Sequence, residues 1–489
     1  MNRRNLLQSL SGVALASLVT PELAQARAQL NRASSFDWRL GFADLEADIA
    51  PTAMRRISGR APVDLAGSLY RNGPGKFHRP GGSVDHWFDG DGLMRAFRVA
   101  DGEATLTARF VDTPKRRTDT AANAVVTPGF GTAAKPGARV ESNDDVNGAN
   151  ISVLPVGDEV WALWESGSPF AMDAGNLSTR GMKTLRPDLA HVPFLAHPRI
   201  DANGDVWSLG VSGDKAIVWR LARDGSLKSA DLVDLPMASY VHDFTASERY
   251  LILILQPWVQ DRMVLPYVDS FSWRPGLGTK VLVLDKSDLS KRRVFDLPAF
   301  FAFHYGDAWE ETDGTLRFDG CVSADPSFAI HNGRNLMKGR WTSEPSPILT
   351  LFVLSPDGKA RMEATGVAAE FPRTNQRLAG SARRYTFYAT GAGGQGPLFN
   401  GLATHDWKTG KSDVYDFGES HLMEEAVFVP RPAGSAELDG WLLAPSVNLL
   451  TRATELHVFD AGHVAAGPIC TWRANVVLPV SLHGAFVAV

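Results

Sequence analysis

Four histidines, His197, His242, His304 and His483, are the side chains of this sequence best placed to do chemistry. Each follows or ends an apolar run: Leu195-Ala196-His197-Pro198, Tyr240-Val241-His242-Asp243-Phe244, Ala302-Phe303-His304-Tyr305 and Ser481-Leu482-His483-Gly484. That context sets an imidazole at a strand end beside the core, where its neutral form is either a metal ligand or a hydrogen-bonded core group. Taken singly, each suits the second role better. The gaps of 45, 62 and 179 residues fit no local zinc pattern. His78, His191, His331, His405, His421, His457 and His463 stand in polar or loop-like surroundings and read as surface or locally bonded residues.

Other chemistries lack their motifs. Gly391-Ala392-Gly393-Gly394-Gln395-Gly396 matches the dinucleotide fingerprint letter for letter, but Pro397-Leu398-Phe399-Asn400-Gly401 follows it. No helix N-terminus would then face a pyrophosphate, so the stretch reads as a glycine-rich turn. There is no nucleophile elbow, no phosphate-binding loop and no metalloprotease helix motif. With 50 basic against 54 acidic residues the net charge is −4, which leaves no electrostatic footprint for nucleic acid. The two cysteines, Cys321 and Cys470, cannot build a disulfide framework and read as buried small hydrophobes, a single bridge being the lesser reading.

The elements that must position these side chains read as strands. Short β-like runs punctuated by turns begin near residue 60: Asp158–Glu165, Val206–Gly210, Ala216–Leu221, Lys280–Leu284, Thr315–Phe318, Ile348–Leu354, Tyr385–Ala389 and Glu455–Phe459. Tyr250–Leu255 is continuously apolar, as in a strand buried on both faces. The best helix candidate is the short stretch Asp44–Ala50, stopped by Pro51. Pattern alone therefore implies a large all-β chain, whether sandwich, barrel or propeller, and no linker divides it. Ahead of it, Asn2-Arg3-Arg4-Asn5-Leu6-Leu7-Gln8 resembles the twin-arginine export motif. A mildly apolar stretch, Leu10–Val19, and Ala24-Gln25-Ala26 suit cleavage after Ala26. Residues 1–26 are thus expected to be a signal peptide read by the twin-arginine translocon, and residues 27–489 one domain delivered folded to the periplasm.

One longer match changes the weight of the histidines. Gly67-Ser68-Leu69-Tyr70-Arg71-Asn72-Gly73-Pro74-Gly75, followed by His86-Trp87-Phe88-Asp89-Gly90-Asp91-Gly92-Leu93-Met94, resembles the N-terminal signature of the carotenoid cleavage oxygenase family. The resemblance runs from about residue 40 to the C-terminus. It implies a seven-bladed β-propeller, with a loop and short-helix cap over an axial metal site where four histidines hold one iron(II). His197-Pro198-Arg199-Ile200-Asp201, Val241-His242-Asp243-Phe244, Phe303-His304 and Leu482-His483-Gly484 resemble the four ligand motifs. Ligands on separate blades also account for the long, irregular gaps.

The resemblance further implies carboxylates behind three of the imidazoles. Trp164-Glu165-Ser166-Gly167, Glu370-Phe371-Pro372-Arg373 and Glu425-Ala426-Val427-Phe428 match these motifs, pairing Glu165 with His242, Glu370 with His304 and Glu425 with His483. A carboxylate on one ring nitrogen fixes the tautomer that leaves the other free for metal. Ala426 stands where proline is usual and Glu424 adjoins, so the register there has two candidates. Folded export would let iron be loaded away from ions that outrank it at nitrogen sites.

Dioxygen is the implied co-substrate, and the reaction is cleavage of a conjugated carbon–carbon double bond into two carbonyls. The expected substrate is an apolar polyene, a carotenoid or apocarotenoid, held in a tunnel that Phe170, Phe303, Phe371 and Phe486 are placed to line. A stilbene or phenylpropenoid substrate is the alternative. Against it, the stretch Thr113–Asn150 carries no tyrosine, and its Lys115 and Lys135 do not clearly match the phenol-gripping pair. A non-catalytic periplasmic binder of apolar ligands is the third reading. Residues 258–273, rich in Trp, Tyr, Met and Phe, suggest a tunnel rim in peripheral contact with a membrane.

Overall fold

The strand Tyr250–Leu255 shows how the architecture is assembled. Leu251, Leu253 and Leu255 point to one side and pack with Trp207, Leu209 and Val218 of the preceding sheet. Ile252 and Ile254 point to the other and pack with Phe318, Phe352 and Leu354 of the following one. A strand buried on both faces between neighbouring sheets needs an unbroken apolar run, which is what YLILIL supplies.

The computed structural model describes residues 36–391 and 397–489, and Trp38–Val489 forms one compact unit. Five separate antiparallel sheets of four or five strands follow one another along the chain. Their first strands are Ser152–Val156, Arg199–Ile200, Thr245–Ala246, Phe301–Tyr305 and Glu370–Arg373. Tight turns join their strands. In one, Val206–Ser212 and Lys215–Leu221 pair in register across Gly213-Asp214, with Gly213 at φ +59°. The two-residue hairpin turn requires that left-handed conformation.

The remaining long strands form one eleven-stranded sheet, so the fold is propeller-like with five discrete blades rather than the seven expected. The reason lies in Ile49–Gly59. Its first half pairs with Glu103–Phe110, from Ile49↔Ala108 to Met54↔Ala104, and its second half with Cys470–Arg473, from Arg55↔Arg473 to Gly59↔Cys470. Hydrogen bonding therefore runs on without a break. At one edge of the same sheet His483–Ala488 pairs with Gly67–Asn72, which sets His483 opposite Asn72.

Several expectations are corrected here. Asp44–Ala50 is not a helix. The Asp44 carboxylate accepts from the Phe77 amide at 2.6 Å and that of Asp48 from the Phe110 amide at 3.0 Å, so the acidic residues tie strand ends. In residues 258–273, Trp258–Gln260 and Phe271–Trp273 form a hairpin whose aromatic side faces inward. Trp258 is fully buried with Phe130, Tyr240 and Phe301, and Tyr267, Phe271 and Trp273 pack on that cluster. Met263 and Leu265 are the exposed apolar residues there. His405 and His457 are buried on strands, held by Ser412 and by Ser446 with Thr471. Both cysteines are buried and free, as their reading as small hydrophobes expected. No helix among the described residues is long and apolar enough to cross a membrane. The signal segment, and residues 392–396 of the glycine-rich stretch, lie outside the described residues.

Candidate metal centre and cavity

Four sheets each carry one of the four histidines to a common point. His197 precedes the edge strand Arg199–Ile200 and His242 precedes Thr245–Ala246. His304 lies within Phe301–Tyr305, and His483 opens His483–Ala488. One ligand-capable atom from each ring lies within 4.8 Å of those of the others. The His197 and His242 Nε2 atoms are 3.1 Å apart, and His197 and His483 ring centroids 4.5 Å.

Carboxylates fix three of the rings. Glu165 contacts His242 Nδ1 at 2.5 Å, Glu370 contacts His304 Nδ1 at 2.6 Å, and Glu425 contacts His483 Nδ1 at 3.0 Å. Each carboxylate accepts the Nδ1 proton, so each Nε2 lone pair faces the shared centre. His304 Nε2 is buried with no hydrogen-bond partner. A buried, orphaned lone pair is costly unless a cation takes it up, and three further imidazoles converge on the same place. Burial, reinforced by the three neighbouring rings, holds His197 well below the usual histidine range. Burial outweighs Glu425 at His483, bringing it down to about 3, whereas at His304 burial is outweighed by Glu370 and the value rises. The donor set fits a divalent transition metal, and His197, His242, His304 and His483 are the residues that could hold it.

The glutamates are themselves anchored. Tyr240 donates its hydroxyl to both oxygens of Glu165, at 3.0 and 2.9 Å. Arg71 and the Gly484 amide donate to Glu425 at 2.8 and 2.9 Å. Glu424 turns elsewhere: it accepts from the Ser481 amide at 3.0 Å and from the Ser481 hydroxyl, and pairs with Arg71 and Arg95. Of the two adjacent glutamates, Glu425 is therefore the one behind His483. Phe371 has φ +56°, a strained conformation for an aromatic residue. That bend lets its amide donate to the preceding Glu370 carboxylate at 2.7 Å and sets its ring 5.2 Å from that of His304.

Sequence reasoning missed the brace beneath these loops. Arg199 donates to both oxygens of Asp243, to the Tyr305 carbonyl at 2.9 Å and to Asp307 at 3.2 Å. Asp243 also accepts from the Tyr305 amide at 2.9 Å, and Asp307 from the Thr374 hydroxyl at 2.6 Å. Arg199 lies two residues past His197, Asp243 follows His242, and Tyr305 follows His304. The only signal for the brace was that Arg199 and Asp243 sit inside the ligand motifs.

A cavity of about 290 Å³ opens onto His242, His304 and His483. Phe88, Phe303, Phe328, Trp341, Phe371 and Phe399 supply aromatic wall, and Asp325 and Glu344 a polar part. Segment 323–347, with the helical turns Phe328–Asn332 and Gly333–Met337, contributes much of that lining. Phe303 and Phe371 thus lie on the wall, but Phe170 and Phe486 do not belong to it. Phe170 packs with Tyr70, Met94 and Val160, and Phe486 packs on the eleven-stranded sheet's core, because each points from its strand into the space between sheets. Phe88 stood inside the N-terminal signature but was not read as cavity wall, and Phe328, Trp341 and Phe399 carried no signal, since alone an aromatic residue in a loop reads as core.

A propeller-like scaffold with four inward imidazoles opening on an aromatic cavity defines a class of metal-dependent oxygenase. Residues 42–488 match the family described as retinal pigment epithelial membrane protein, and the chain belongs to this family, that of the carotenoid cleavage oxygenases. It is an enzyme of the dioxygenase type that cleaves carbon–carbon double bonds. The chain is 27% identical over 465 residues to the apocarotenoid-15,15′-oxygenase of Synechocystis, covering 88% of this chain and 92% of that protein. It is 28% identical over 480 residues to resveratrol cleavage oxygenase 1 of Aspergillus fumigatus, covering 91% and 93%. Cobalt-substituted Synechocystis apocarotenoid oxygenase superposes with a TM-score of 0.82 at 25% identity, over 93% of this chain and 98% of that one.

Proposed function

We propose that this chain is an iron(II)-dependent dioxygenase that cleaves one conjugated double bond of an apolar polyene, a carotenoid or apocarotenoid, to two carbonyl products. The observation carrying this reading is the convergence of four imidazoles, three of them backed by glutamate, at the end of an aromatic cavity. Iron(II) held by His197, His242, His304 and His483 would supply the redox-active centre at which dioxygen reacts. The protein's own residues do the rest. The glutamates keep the Nδ1 protons, the Arg199–Asp243 brace holds the ligand loops, and the aromatic wall excludes water while aligning a flat, conjugated chain. In the overall change the double bond breaks and each carbon takes one oxygen atom of dioxygen, so no proton need be moved.

The polyene is favoured over a stilbene because Thr113–Asn150 carries no tyrosine and one of its two lysines is engaged elsewhere. Lys115 is buried between Asp91 and Asp119, at 3.2 and 3.1 Å, and is not free to meet a phenol. The stilbene or phenylpropenoid reading keeps one support, the 28% identity to a resveratrol cleavage oxygenase. Oxygen uptake by anaerobically iron-loaded protein, with matched panels of apocarotenoids and stilbenes, separates them. Turnover of stilbenes alone would overturn the polyene assignment.

Three further readings belong to this proposal. The eleven-stranded sheet is two blades fused along Ile49–Gly59, which would bring the blade count to seven. Export by the twin-arginine route to the periplasm follows from Asn2–Gln8. Peripheral membrane contact is assigned to exposed Met263 and Leu265, the aromatic residues beside them facing inward.

A further inference from the structure

A second group of metal-capable side chains lies on the eleven-stranded sheet, outside the cavity lining. His421 stands at the start of His421–Met423, and Glu455 and His457 lie two apart, hence on one face, in Ala453–Asp460. A ligand-capable atom of each falls within 4.8 Å of the other two. Glu455 Oε2 is 3.3 Å from His421 Nε2 and 3.6 Å from His457 Nε2. Ligand atoms about 2.0–2.1 Å from a tetrahedral ion are separated by about 3.3–3.4 Å, so these spacings already suit one.

Hydrogen bonding turns one nitrogen of each imidazole toward Glu455, where small polar side chains now meet it. The Asn448 backbone-facing oxygen accepts from the Thr451 amide at 3.0 Å, which directs its NH2 group to His421 Nε2 at 3.1 Å and to Glu455 Oε1 at 3.1 Å. An amide NH2 can only donate, so His421 Nε2 presents a lone pair, and its Nδ1 proton goes to the Ser420 hydroxyl at 2.9 Å. His421 Nε2 and Glu455 Oε2 are in contact at 3.3 Å, with Asn448 donating to both residues, so an ion entering here would take over contacts that side chains now make. His457 Nδ1 has the Thr471 hydroxyl at 3.1 Å, the same outer arrangement, and Ser446 adjoins its Nε2 at 2.9 Å. Arg473 occupies only Oε1 of Glu455, leaving Oε2 to the two imidazoles. The Phe417 ring covers both imidazoles, at 4.9 and 4.7 Å, while His421 keeps a partly exposed edge through which an ion can reach the site.

We propose that His421, Glu455 and His457 form a second cation site, separate from the four-histidine centre, that takes zinc or an ion of its class. Two imidazoles and one monodentate carboxylate are a zinc donor set with one position left for water.

The test uses the iron-loaded enzyme titrated with zinc sulfate, followed by calorimetry and by elemental analysis after gel filtration. The expected result is one zinc per chain beyond the iron, with affinity reduced at least about tenfold in His421→Gln and in Glu455→Gln. Iron content and oxygen uptake should stay unchanged in both. His421→Gln alters a partly exposed side chain and should keep the fold even if Glu455→Gln, which strands Arg473, does not. Zinc retained in His242→Ala would also support a separate site. No extra zinc in the unaltered protein, equal zinc in His421→Gln, or loss of the extra zinc in His242→Ala would each overturn it.

Discussion

One nitrogen of the Arg199 guanidinium donates to both carboxylate oxygens of Asp243, at 2.8 and 2.9 Å. Through that pair the segments bearing His197, His242 and His304 are fastened to one another rather than only to their own sheets. Breaking a buried ion pair by removing one partner costs about 3–5 kcal/mol, because the other charge is left uncompensated. Asp243→Ala should lose stability on that scale in urea unfolding and release iron more readily. An unfolding midpoint equal to that of the parent protein would mean that the brace is not structural.

At Glu370 the carboxylate acts through His304. Glu370→Gln should keep the fold and weaken iron affinity or turnover about 10–100-fold, the usual cost of losing a carboxylate behind a ligand. Equal iron content and rate would remove Glu370 from the site.

The neighbours Glu424 and Glu425 should separate cleanly. Glu425→Gln, facing His483, should show the same 10–100-fold loss of iron affinity or rate. Glu424→Gln should instead lower the thermal midpoint, since Arg71 and Arg95 lose its charge and one accepting oxygen becomes a donor, with iron per folded chain retained. The opposite pattern would exchange the two roles.

Burial makes Trp258 a poor candidate for any surface role. Trp258→Ser should cost about 3–5 kcal/mol, as other large-to-small core changes do. Met263→Ser, on the exposed turn, should stay within about 0.5 kcal/mol of the parent. If Met263 and Leu265 meet a membrane, their double Ser variant should bind liposomes less while turnover in micelles holds. Unchanged liposome binding would discard that contact.

How far the sequence reaches differs from residue to residue. Runs such as Tyr250–Leu255 and Ile348–Leu354 were legible to the residue, because burial on both faces keeps them almost wholly apolar, with Thr350 the exception. Asp44–Ala50 misled because its spacing suits a helix, whereas its carboxylates are spent on amides of distant strands. The number of separate blades was not legible, since it turns on one strand, Ile49–Gly59, changing partner halfway. The four histidines could be grouped only through the family resemblance. The choice of Glu425 over Glu424 rested on the motif resemblance alone, because only the packing shows which of two adjacent carboxylates turns to His483 and which to Ser481. Phe170 and Phe486 adjoin the motifs in sequence, but alternation along a strand turns them into the core.

His197, His242, His304 and His483 are proposed to hold together one iron(II) that supports double-bond cleavage. The most direct test is elemental analysis paired with oxygen uptake on an apocarotenoid, for the parent protein and for His304→Ala, both reconstituted anaerobically and shown to be folded. About one iron per chain and steady uptake with two carbonyl products are expected in the parent, and loss of both iron and uptake in the variant. Full iron and full turnover in His304→Ala would contradict it.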